Sequence, residues 1–488
     1  NINKSLKSYL KEHYARAKKD LFATFMEVFP DRTWERGRFA FITPPSWMFL
    51  SSYENLRTHY IDDYFFESLL HLSRGIFGAD FGSVATAVQK AKQNGRTGTY
   101  FRLIKRTFQE FHVRHLHDLF RRVMEDPDFR YDFSKYDKDG SIPEKSDPEG
   151  QRLYYSGVDQ QDFEKIPGAP IAYWASDQLI RIFDTAGQLS EYAELKQGVK
   201  TGNNSRFLRM WPEVSKLRVE LDADSRQEAL RSNKRWFPCV KGGEYRKWFG
   251  NNIFLIDWKE NGKEIRNYTD EDGNLKSRPQ NTQYFFREGI TWSKVSSDRT
   301  SFRYVPGGFA FESNGPMCFV KDEGIEGHIG FLNSDVVVSI LRILAPTIEF
   351  GEGSLGRLPV VHPDKKISQK VHQCVRISRQ DWDSHEFSWD FSQHPLAHQT
   401  ALSIEEAYDL WKQRATEDFF GLHTNEEELN DLFIDLYGLE DELSPRVALD
   451  DITILEDELD RDALEDLDDE RDGLSDEELR QRFLEDDP

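Results

Sequence analysis

The sequence predicts an α/β protein with several domains and a helical region toward its C-terminus. Its 488 residues are enough for two or three hydrophobic cores. In residues 1–190, helical and extended hydrophobic patterns alternate, which is typical of a doubly wound α/β domain. From Lys196 to about Val361, short strands alternate with turns, and a mainly helical pattern covers Asp390 to Gly438.

The first block contains the elements of this alternation in order. Asn3–Tyr14 is predicted to be a short amphipathic helix, because Leu6 and Leu10 lie one turn apart. A second helix is predicted to begin at Asp20. Gly37–Pro44 is predicted to be a strand, since it is apolar, begins with glycine and ends with proline. The later elements are a helix starting near Ser51 and strands over Tyr64–Leu72, Val84–Val88 and Tyr100–Ile104.

Two further helices and several short strands are predicted before the long helical region. Ile171–Ala186 is predicted to be a helix, and so is Phe331–Leu344, whose apolar residues follow a helical period. The clearest strands between them are Ile253–Ile256, Phe309–Phe311 and Met317–Val320.

The net charge of −22 is concentrated at the C-terminal end. Residues 440–488 contain 22 acidic residues and five arginines, a net charge of −17, which leaves −5 for the rest of the chain. The body can therefore carry a local basic groove although the whole chain is acidic. We expect the acidic tail to be either disordered or an amphipathic helix that needs a partner.

The cysteine count and the hydropathy pattern limit the cellular setting. Cys239, Cys318 and Cys374 have a spacing that fits neither a zinc motif nor a disulfide framework. No apolar run approaches the length of a membrane span, and no secretory signal is visible. We therefore expect a protein without a membrane partner, in the reducing environment of the cytoplasm.

A basic turn at residues 195–211 is the strongest candidate for a binding surface. Its sequence, LKQGVKTGNNSRFLRMW, leads from an apolar segment through glycine and asparagine into a helical run. Because these two residues tolerate positive φ, we predict a tight turn that presents backbone N–H groups and amides. Lys200, Arg206 and Arg209 surround it, which suits a polyanion, although an ordinary basic surface loop would have the same composition.

Several motifs resemble those of one protein family. The turn has the pattern G-x-x-T-G-x-N-x-x-F, formed by Gly198, Thr201, Gly202, Asn204 and Phe207. The first block contains GRFAFITPPSWMFLSSYENLR and RGIFGADFGSVATAVQ. In this order, the motifs resemble the PglX-like adenine-N6 DNA methyltransferases of the BREX phage-defence systems. The resemblance extends from about Asn3 to about Leu455.

The resemblance implies four regions. Residues 1–190 would be the C-terminal half of a Rossmann-like methyltransferase domain, and residues 191–365 a mixed α/β target-recognition domain. Residues 366–439 would be a helical region, followed by the acidic tail at 440–488. The family's glycine-rich donor-binding turn and its Asn-Pro-Pro-Tyr loop are not found in these 488 residues. The pair Pro44-Pro45 lacks the amide and the aromatic residue and is predicted to end a strand.

The resemblance also implies a methyl donor and an acceptor. The donor would be S-adenosylmethionine, and the acceptor an adenine flipped out of the DNA duplex. Asp20 and Phe22 would form one wall of the cofactor pocket, although Asp20 could equally cap its helix. Phe77, or alternatively Phe81, would stack on the flipped base, although either could be a core or loop residue. We expect the chain alone to be inactive, because the main donor-binding motifs are missing from it.

Double-stranded DNA is the implied partner. The predicted DNA contacts are Lys200, Asn203, Asn204, Arg206, Arg299 and Arg303. Lys200 and Arg206 would contact phosphates and position the DNA backbone, and Asn204 would either hold the turn or reach a base. The two later arginines, in SSDRTSFRY, are candidates for base contact, because arginine can pair bidentately with guanine.

Two functions remain open at this point. One is a site-specific DNA methyltransferase whose other catalytic half is lost or supplied by another chain, acting with further phage-defence proteins. The other is a DNA-specificity subunit without chemistry of its own. An upstream reading frame that encodes an Asn-Pro-Pro-Tyr loop would favour the methyltransferase.

Three other patterns are weaker candidates for sites. Gly351–Gly356 spells G-x-G-x-x-G, but Arg357–Val361 cannot begin the long helix that a dinucleotide site needs. The three histidines of FHVRHLHDLF have no second ligand cluster nearby in sequence, which favours surface or phosphate contact over zinc. Asp137–Gly140 is predicted to be a turn and not a calcium loop, because its glycine is misplaced.

Overall fold

The computed structural model of the protein describes residues 2–74, 82–92, 95–104, 112–133, 141–147, 150–296, 300–321, 324–346, 349–361 and 366–486. Its internal contacts divide the chain into two compact units, Asn1–Thr185 and Ala186–Pro488. Both units combine helices with β-sheet, so the predicted α/β class is confirmed. The division into four regions at residues 190, 365 and 439 stays a prediction.

The first unit contains a five-stranded sheet, a separate two-stranded sheet and five helices within its described residues. Its elements are α1 Lys4–His13, α2 Leu21–Val28, β1 Arg38–Thr43, α3 Glu54–Asp63, β2 Phe65–Arg74, β3 Gly82–Gln89, β4 Gly98–Leu103, α4 Val113–Glu125, β5 Arg130–Tyr131, β6 Gln151–Arg152, β7 Tyr154–Val158 and α5 Asp177–Thr185. The predicted strands of the first block are all present.

The large sheet has the order β1–β3–β2–β4–β7 and is mixed, not parallel throughout. β3 runs antiparallel to both β1 and β2, whereas β2 and β4 are parallel. The seven residues between Arg74 and Gly82 explain the antiparallel pairing of β2 and β3, since a crossover to a parallel neighbour needs a dozen residues or more. Doubly wound sheets can include an antiparallel strand, so the Rossmann-like assignment of this unit stays a prediction.

One buried arginine holds the segment after β1 against the core. Arg57 is fully buried and donates hydrogen bonds to the carbonyl oxygens of Trp47 at 2.8 Å, Leu50 at 2.7 Å and Ala169 at 3.0 Å. The Pro44-Pro45 pair ends β1 and begins a 3₁₀ turn, as its sequence predicts. A guanidinium bonded to several carbonyls satisfies otherwise orphaned acceptors in the interior.

The second unit contains three small sheets and eleven helices within its described residues. Its elements are β8 Gly187–Gln188, α6 Leu189–Tyr192, β9 Ala193–Lys196, α7 Asn204–Phe207, β10 Leu208–Met210, α8 Arg226–Ser232, β11 Trp236–Val240, β12 Phe254–Asp257, α9 Lys259–Arg266, β13 Gly289–Trp292, β14 Phe302–Val305, β15 Ala310–Phe311, β16 Met317–Val320, α10 Ile325–Leu332, α11 Asp335–Leu344, α12 Glu352–Leu355, β17 Pro359–Val360, α13 Lys366–Asp383, α14 Ile404–Tyr437, α15 Arg461–Glu470 and α16 Asp476–Asp486.

Two four-stranded sheets form the body of the strand-rich segment. Their orders are β10–β12–β11–β15 and β14–β13–β16–β9. Apolar side chains such as Phe237, Ile256, Phe311 and Met317 form one core between them. β8 and β17 pair antiparallel, so the segment begins and ends with neighbouring strands. This pairing brings the glycine-rich stretch before β17 close to the entry of the segment, as a short helix and not as a dinucleotide turn.

The acidic tail folds back onto the long helix α14. Phe483 of α16 stacks on Phe419 of α14 with ring centroids 4.9 Å apart, and Leu464 and Leu467 of α15 are buried. The segment before α15 also buries apolar residues, including Ile452. Of the two alternatives for the tail, disorder is therefore wrong for the described residues. The partner that its amphipathic helices need lies in the same chain.

Two predicted helices differ from the structure. Phe331–Leu344 is not one helix, because α10 ends at Leu332 and α11 begins after Ser334, with a bend of 68°. The Ser334 side chain donates to the carbonyl of Phe331 at 2.7 Å, which favours a turn over helix continuation. The helix predicted over Ile171–Ala186 begins only at Asp177, after a proline-containing segment.

No single helix among the described residues is long and apolar enough to cross a membrane. Only the bent pair α10 and α11 meets the requirement jointly in length and composition. Most side chains of this pair are buried within the second unit, including Ile329, Val337 and Ile340.

Candidate functional site

The basic turn at 198–206 depends on two glycines that lie against other parts of the backbone. A β-carbon at Gly198 would be 1.9 Å from the carbonyl oxygen of Phe311, so no larger residue fits there. Gly202 has a φ of +73°, and a β-carbon there would be 2.6 Å from the carbonyl oxygen of Lys276. The glycines of the motif are thus required by close backbone approach at one position and by positive φ at the other.

The turn is closed by side chains of the same motif. Thr201 is buried, and its hydroxyl donates to the side-chain oxygen of Asn204 at 2.5 Å. The side chain of Asn203 caps α7 by accepting from the backbone N–H of Arg206 at 3.1 Å. Its amide also donates to the hydroxyl of Tyr268 at 3.3 Å. Both asparagines therefore hold the turn in this structure.

Cationic side chains from two separate segments meet at this turn. Lys200 pairs through its backbone with Arg278, with hydrogen bonds of 3.0 and 2.7 Å. Both side chains are exposed, as are those of Lys276 and Arg206. Of these four, only Arg206 forms a salt bridge with a described carboxylate, that of Glu264 at 3.3 Å. Four exposed cations therefore lie at the turn, beside the carboxylates of Glu264 and Asp270, and can attract phosphates from solvent.

Tyr268 lies beside two of these cations, Arg206 and Lys276. The pKa of its phenol is lowered, first by the hydrogen bond from Asn203 and then by neighbouring positive charges, among them Lys276. The guanidinium of Arg206 is 5.3 Å from the centre of the Tyr268 ring, and the ammonium of Lys276 is 5.4 Å from it. An aromatic ring close to two cations gives a contact surface with both charge and a flat apolar group.

The sequence did not identify Tyr268, Lys276 or Arg278 as part of this surface. They follow the turn by more than 60 residues and join it through tertiary contacts, such as the antiparallel bridge between residues 200 and 278 and the hydrogen bond from Asn203 to Tyr268. A useful signal would have been the spacing of Lys276 and Arg278, which places both cations on one side of an extended segment.

A base contact by Arg303 is contradicted by its position. Arg303 is in β14 and is only 1% exposed. Its guanidinium donates to the carbonyl oxygen of Arg246 at 3.2 Å and to the hydroxyls of Ser301 and Ser293 at 3.3 and 3.5 Å. Burial, together with the nearby charge of Arg246, lowers the pKa of Arg303 to about 10. The sequence SSDRTSFRY suggested a turn, but both faces of this strand are covered.

Two predicted contacts lie outside the described residues. Phe77, with its alternative Phe81, is one, and Arg299 is the other. The turn predicted at Asp137–Gly140 is also outside them. These assignments stay predictions.

Asp20 and Phe22 lie together at the start of α2 in the first unit. Asp20 occupies the N-cap position, but its carboxylate makes no capping hydrogen bond and is exposed. The half-buried ring of Phe22 is 5.6 Å from that of Tyr53. The pKa of Tyr53 is raised, mainly by burial and further by the charge of Asp20. A carboxylate beside two aromatic rings can accept hydrogen bonds from hydroxyls and offers rings to pack on a flat base, which fits part of a nucleoside.

The histidines of α4 do not form a metal site with other described residues. No group of three or more His, Cys, Asp or Glu suited to a metal ion occurs in the described part of the chain. The rings of His112 and His115 are 6.0 Å apart, and the side chain of His112 accepts from the backbone N–H of Arg114 at 3.2 Å.

The start of the chain is similar to a known class of enzyme. Residues 1–77 match the family model described as Eco57I restriction-modification methylase. Over a much longer stretch, the chain is 35% identical across 472 residues to the adenine-specific methyltransferase PglX of Lacticaseibacillus casei (strain Zhang), covering 94% of this chain and 37% of PglX. It is 31% identical across 399 residues to the adenine-specific methyltransferase BrxX of Escherichia coli O9:H4 (strain HS), covering 81% of this chain and 29% of BrxX. The resemblance to PglX-like methyltransferases is confirmed.

The chain spans about a third of the length of these two relatives. Among solved structures, it aligns with the Type IIL restriction-modification enzyme MmeI in complex with DNA, at a TM-score of 0.45 and 11% identity. That alignment covers 87% of this chain and 50% of MmeI. A DrdV–DNA complex aligns at a TM-score of 0.34 and 10% identity, over 79% of this chain and 42% of DrdV.

Proposed function

We propose that this chain is the DNA-reading part, with half of the catalytic domain, of an S-adenosylmethionine-dependent adenine-N6 DNA methyltransferase of a BREX-type phage-defence system. It would recognise a site in double-stranded DNA and position a flipped adenine for methyl transfer. The observation that carries the proposal is the cationic turn at 198–206, which lies within a chain that is 35% identical to PglX over 94% of its length.

The geometry of the turn supports a division of work between its residues. Lys200, Arg206, Lys276 and Arg278 would neutralise phosphates and fix the register of the duplex without reading its sequence. Tyr268 offers an aromatic ring beside two of them. Asn203 and Asn204 keep the backbone of the turn in place, which holds the cations at a fixed spacing.

Asp20 and Phe22 would contribute one wall of the donor pocket in the first unit. S-adenosylmethionine supplies an electrophilic methyl group when it is bound. The exposed carboxylate of Asp20 can accept hydrogen bonds from the hydroxyl or ammonium groups of S-adenosylmethionine. The ring of Phe22 can pack on the adenine of the same molecule. Phe77 would stack on the flipped adenine, and Phe77→Ala in the complete enzyme should lose roughly 1–3 kcal/mol of base stabilisation.

A DNA-specificity subunit without its own chemistry is the alternative function. The two functions predict the same DNA contacts but differ in donor binding and in the effect of a catalytic half supplied separately. In either case, further phage-defence proteins would be partners in the cell.

Sequencing of modified bases in the source genome, with and without this gene, tests the proposal directly. Loss of N6-methyladenine at one defined sequence is the expected result. Calorimetry on the 488-residue chain should detect no micromolar binding of S-adenosylmethionine, and DNA binding should persist without the donor. Unchanged methylation after deletion, together with no preference for any DNA sequence in binding assays, would refute the methyltransferase assignment.

A further inference from the structure

The first unit has a basic cleft that none of the contacts described so far uses. It has a volume of about 460 Å³ and lies between one face of α4 and the loop at residues 141–144. Its lining residues are His112, Arg114, His115, Asp118, Arg121, Arg122, Ser141, Ile142, Pro143 and Glu144. Three arginines and two histidines thus face the same space as two carboxylates.

The packing of α4 directs these arginines outward. Leu116, Leu119 and Val123 are buried in the core of the first unit, so the opposite face of the helix is open to solvent. Arg114 and Arg121 are seven residues apart, which places them on one face and about 10 Å apart along the helix axis. Neither guanidinium forms a salt bridge or hydrogen bond with the described residues.

A third arginine closes one side of the cleft. Arg122 donates to the carbonyl oxygen of Glu144 and lies 5.3 Å from the centre of the Phe129 ring, so it fixes the loop against the helix. The carboxylate of Asp118 contacts His117, at 3.4 Å, and not the arginines. The two exposed guanidinium groups are therefore not neutralised by the acid nearest to them on the helix.

The local charge is opposite to that of the whole chain. Residues 102–122 contain six Lys or Arg, three His and two acidic residues, whereas the chain as a whole carries −22. A cationic cleft on an acidic protein attracts an anion locally, whatever the sign of the net charge. Such an arrangement suits a contact of limited size, with one or two phosphates.

We propose that this cleft binds the phosphate backbone of double-stranded DNA as a second, sequence-independent contact, which rests on the proposed function. Arg114 and Arg121 each present a planar fork of N–H donors, the geometry that phosphate oxygens accept best. A contact to phosphates carries no sequence information, so this cleft adds affinity and register while the recognition of bases lies elsewhere.

The test is DNA binding by the full chain with Arg114→Ala and Arg121→Ala combined. Affinity is measured by fluorescence anisotropy for two duplexes, the recognised sequence and a scrambled one, at several salt concentrations. Each lost phosphate contact should reduce the slope of log K against log salt by about 0.9. Between about 50 and 200 mM salt, the variant should therefore lose roughly tenfold less affinity than the wild type, equally for both duplexes.

Two further variants control the result. Arg414→Ala with Arg480→Ala removes the same charge from the acidic helical region and should leave the slope unchanged. Arg114→Lys with Arg121→Lys keeps the charge and should retain most of the slope. Because the guanidinium groups of Arg114 and Arg121 have no ionic or hydrogen-bonding partner among the described residues, thermal unfolding of their Ala and Lys variants should match that of the wild type.

The outcomes separate this inference from the proposed function. A wild-type chain that prefers one duplex, combined with an alanine variant of unchanged slope, overturns the cleft contact and leaves the proposed function standing. A loss confined to one duplex would mean base recognition and would also overturn it. A wild-type chain that binds neither duplex overturns both proposals. If the alanine variant keeps the wild-type salt slope but no longer binds an acidic protein, the cleft contacts a protein partner and not DNA.

Discussion

Two groups of cations in the second unit come from similar sequence surroundings but differ in environment. The first group is exposed at the turn and consists of Lys200, Arg206, Lys276 and Arg278. The second group is buried and consists of Arg246, Lys247 and Arg303. Both follow glycine- or serine-containing turns in the sequence, so composition alone does not distinguish them. The difference shows that the partners met after folding decide whether a cation binds a ligand or stabilises the protein.

The buried group connects the strand-rich segment to the helices that follow it. Arg246 donates to the carboxylate of Asp381 in α13 at 2.7 Å. Lys247 contacts the carboxylate of Glu426 in α14 at 2.6 Å, and the indole N–H of Trp248 donates to the other oxygen of that carboxylate, also at 2.6 Å. Burial opposes the charge of Lys247, but Glu426 outweighs it, and the pKa of Lys247 is raised. These cations are therefore already satisfied and unavailable to DNA.

The largest expected effect is the loss of this buried pair. Lys247→Ala should lower the free energy of unfolding by about 3–5 kcal/mol, because it leaves the carboxylate of Glu426 charged and buried without its cation. Urea denaturation measures the change. Lys263→Ala, which breaks the exposed pair with Glu260, is the control and should leave the urea midpoint where it is. If Lys247→Ala has the same urea midpoint as the wild type, the pair of Lys247 and Glu426 contributes nothing to the stability of the fold.

Arg303 gives the sharpest test of the comparison between buried and exposed cations. Arg303→Ala should lower the free energy of unfolding by about 2–4 kcal/mol, because truncation of a buried side chain leaves a cavity. The preference for a DNA sequence should not change in the folded variant. The matched variant Arg206→Ala should do the reverse, with unfolding unchanged and DNA affinity reduced. A relaxed base preference in Arg303→Ala would restore this arginine to the DNA interface.

The attachment of the acidic tail should depend on pH. His385 is 3.0 Å from Glu458 of the tail, and this contact, with a smaller contribution from the Asp381 carbonyl, raises the pKa of His385 to about 9. The stabilisation is fully present below the unfolded pKa of about 6.5 and is lost as the pH rises toward 9. After allowance for solvent screening, roughly 1–2 kcal/mol should be lost. The slope of stability against pH in this window should be reduced in His385→Ala; an equal slope would contradict the assignment.

The smallest expected effect is that of one exposed cation. Lys200→Ala should weaken binding to all DNA sequences alike and reduce the salt slope by about one unit, because one phosphate contact is lost. Lys7→Ala, an exposed lysine of α1, is the control for the change in charge. Binding at several salt concentrations measures both. If Lys200→Ala leaves the slope unchanged, the phosphates contact another surface.

Much of the local structure could be predicted from the sequence. The strands of the first block and the amphipathic helix at Lys4–His13 follow from the period of their apolar residues. The turn at 198–206 follows from its motif, since Gly198 and Gly202 allow its backbone and the asparagine side chains hold it by hydrogen bonds. Pro44-Pro45 ends a strand for a similarly local reason.

Only the tertiary structure decided the partners of these elements. It covered both faces of the strand that holds Arg303, and it brought Tyr268, Lys276 and Arg278 to the basic turn. It also placed the acidic tail against α14. The physical reason is the range of the interactions. Hydrophobic period and turn chemistry depend on residues within a few positions of one another, whereas burial and charge pairing depend on residues that meet only after folding.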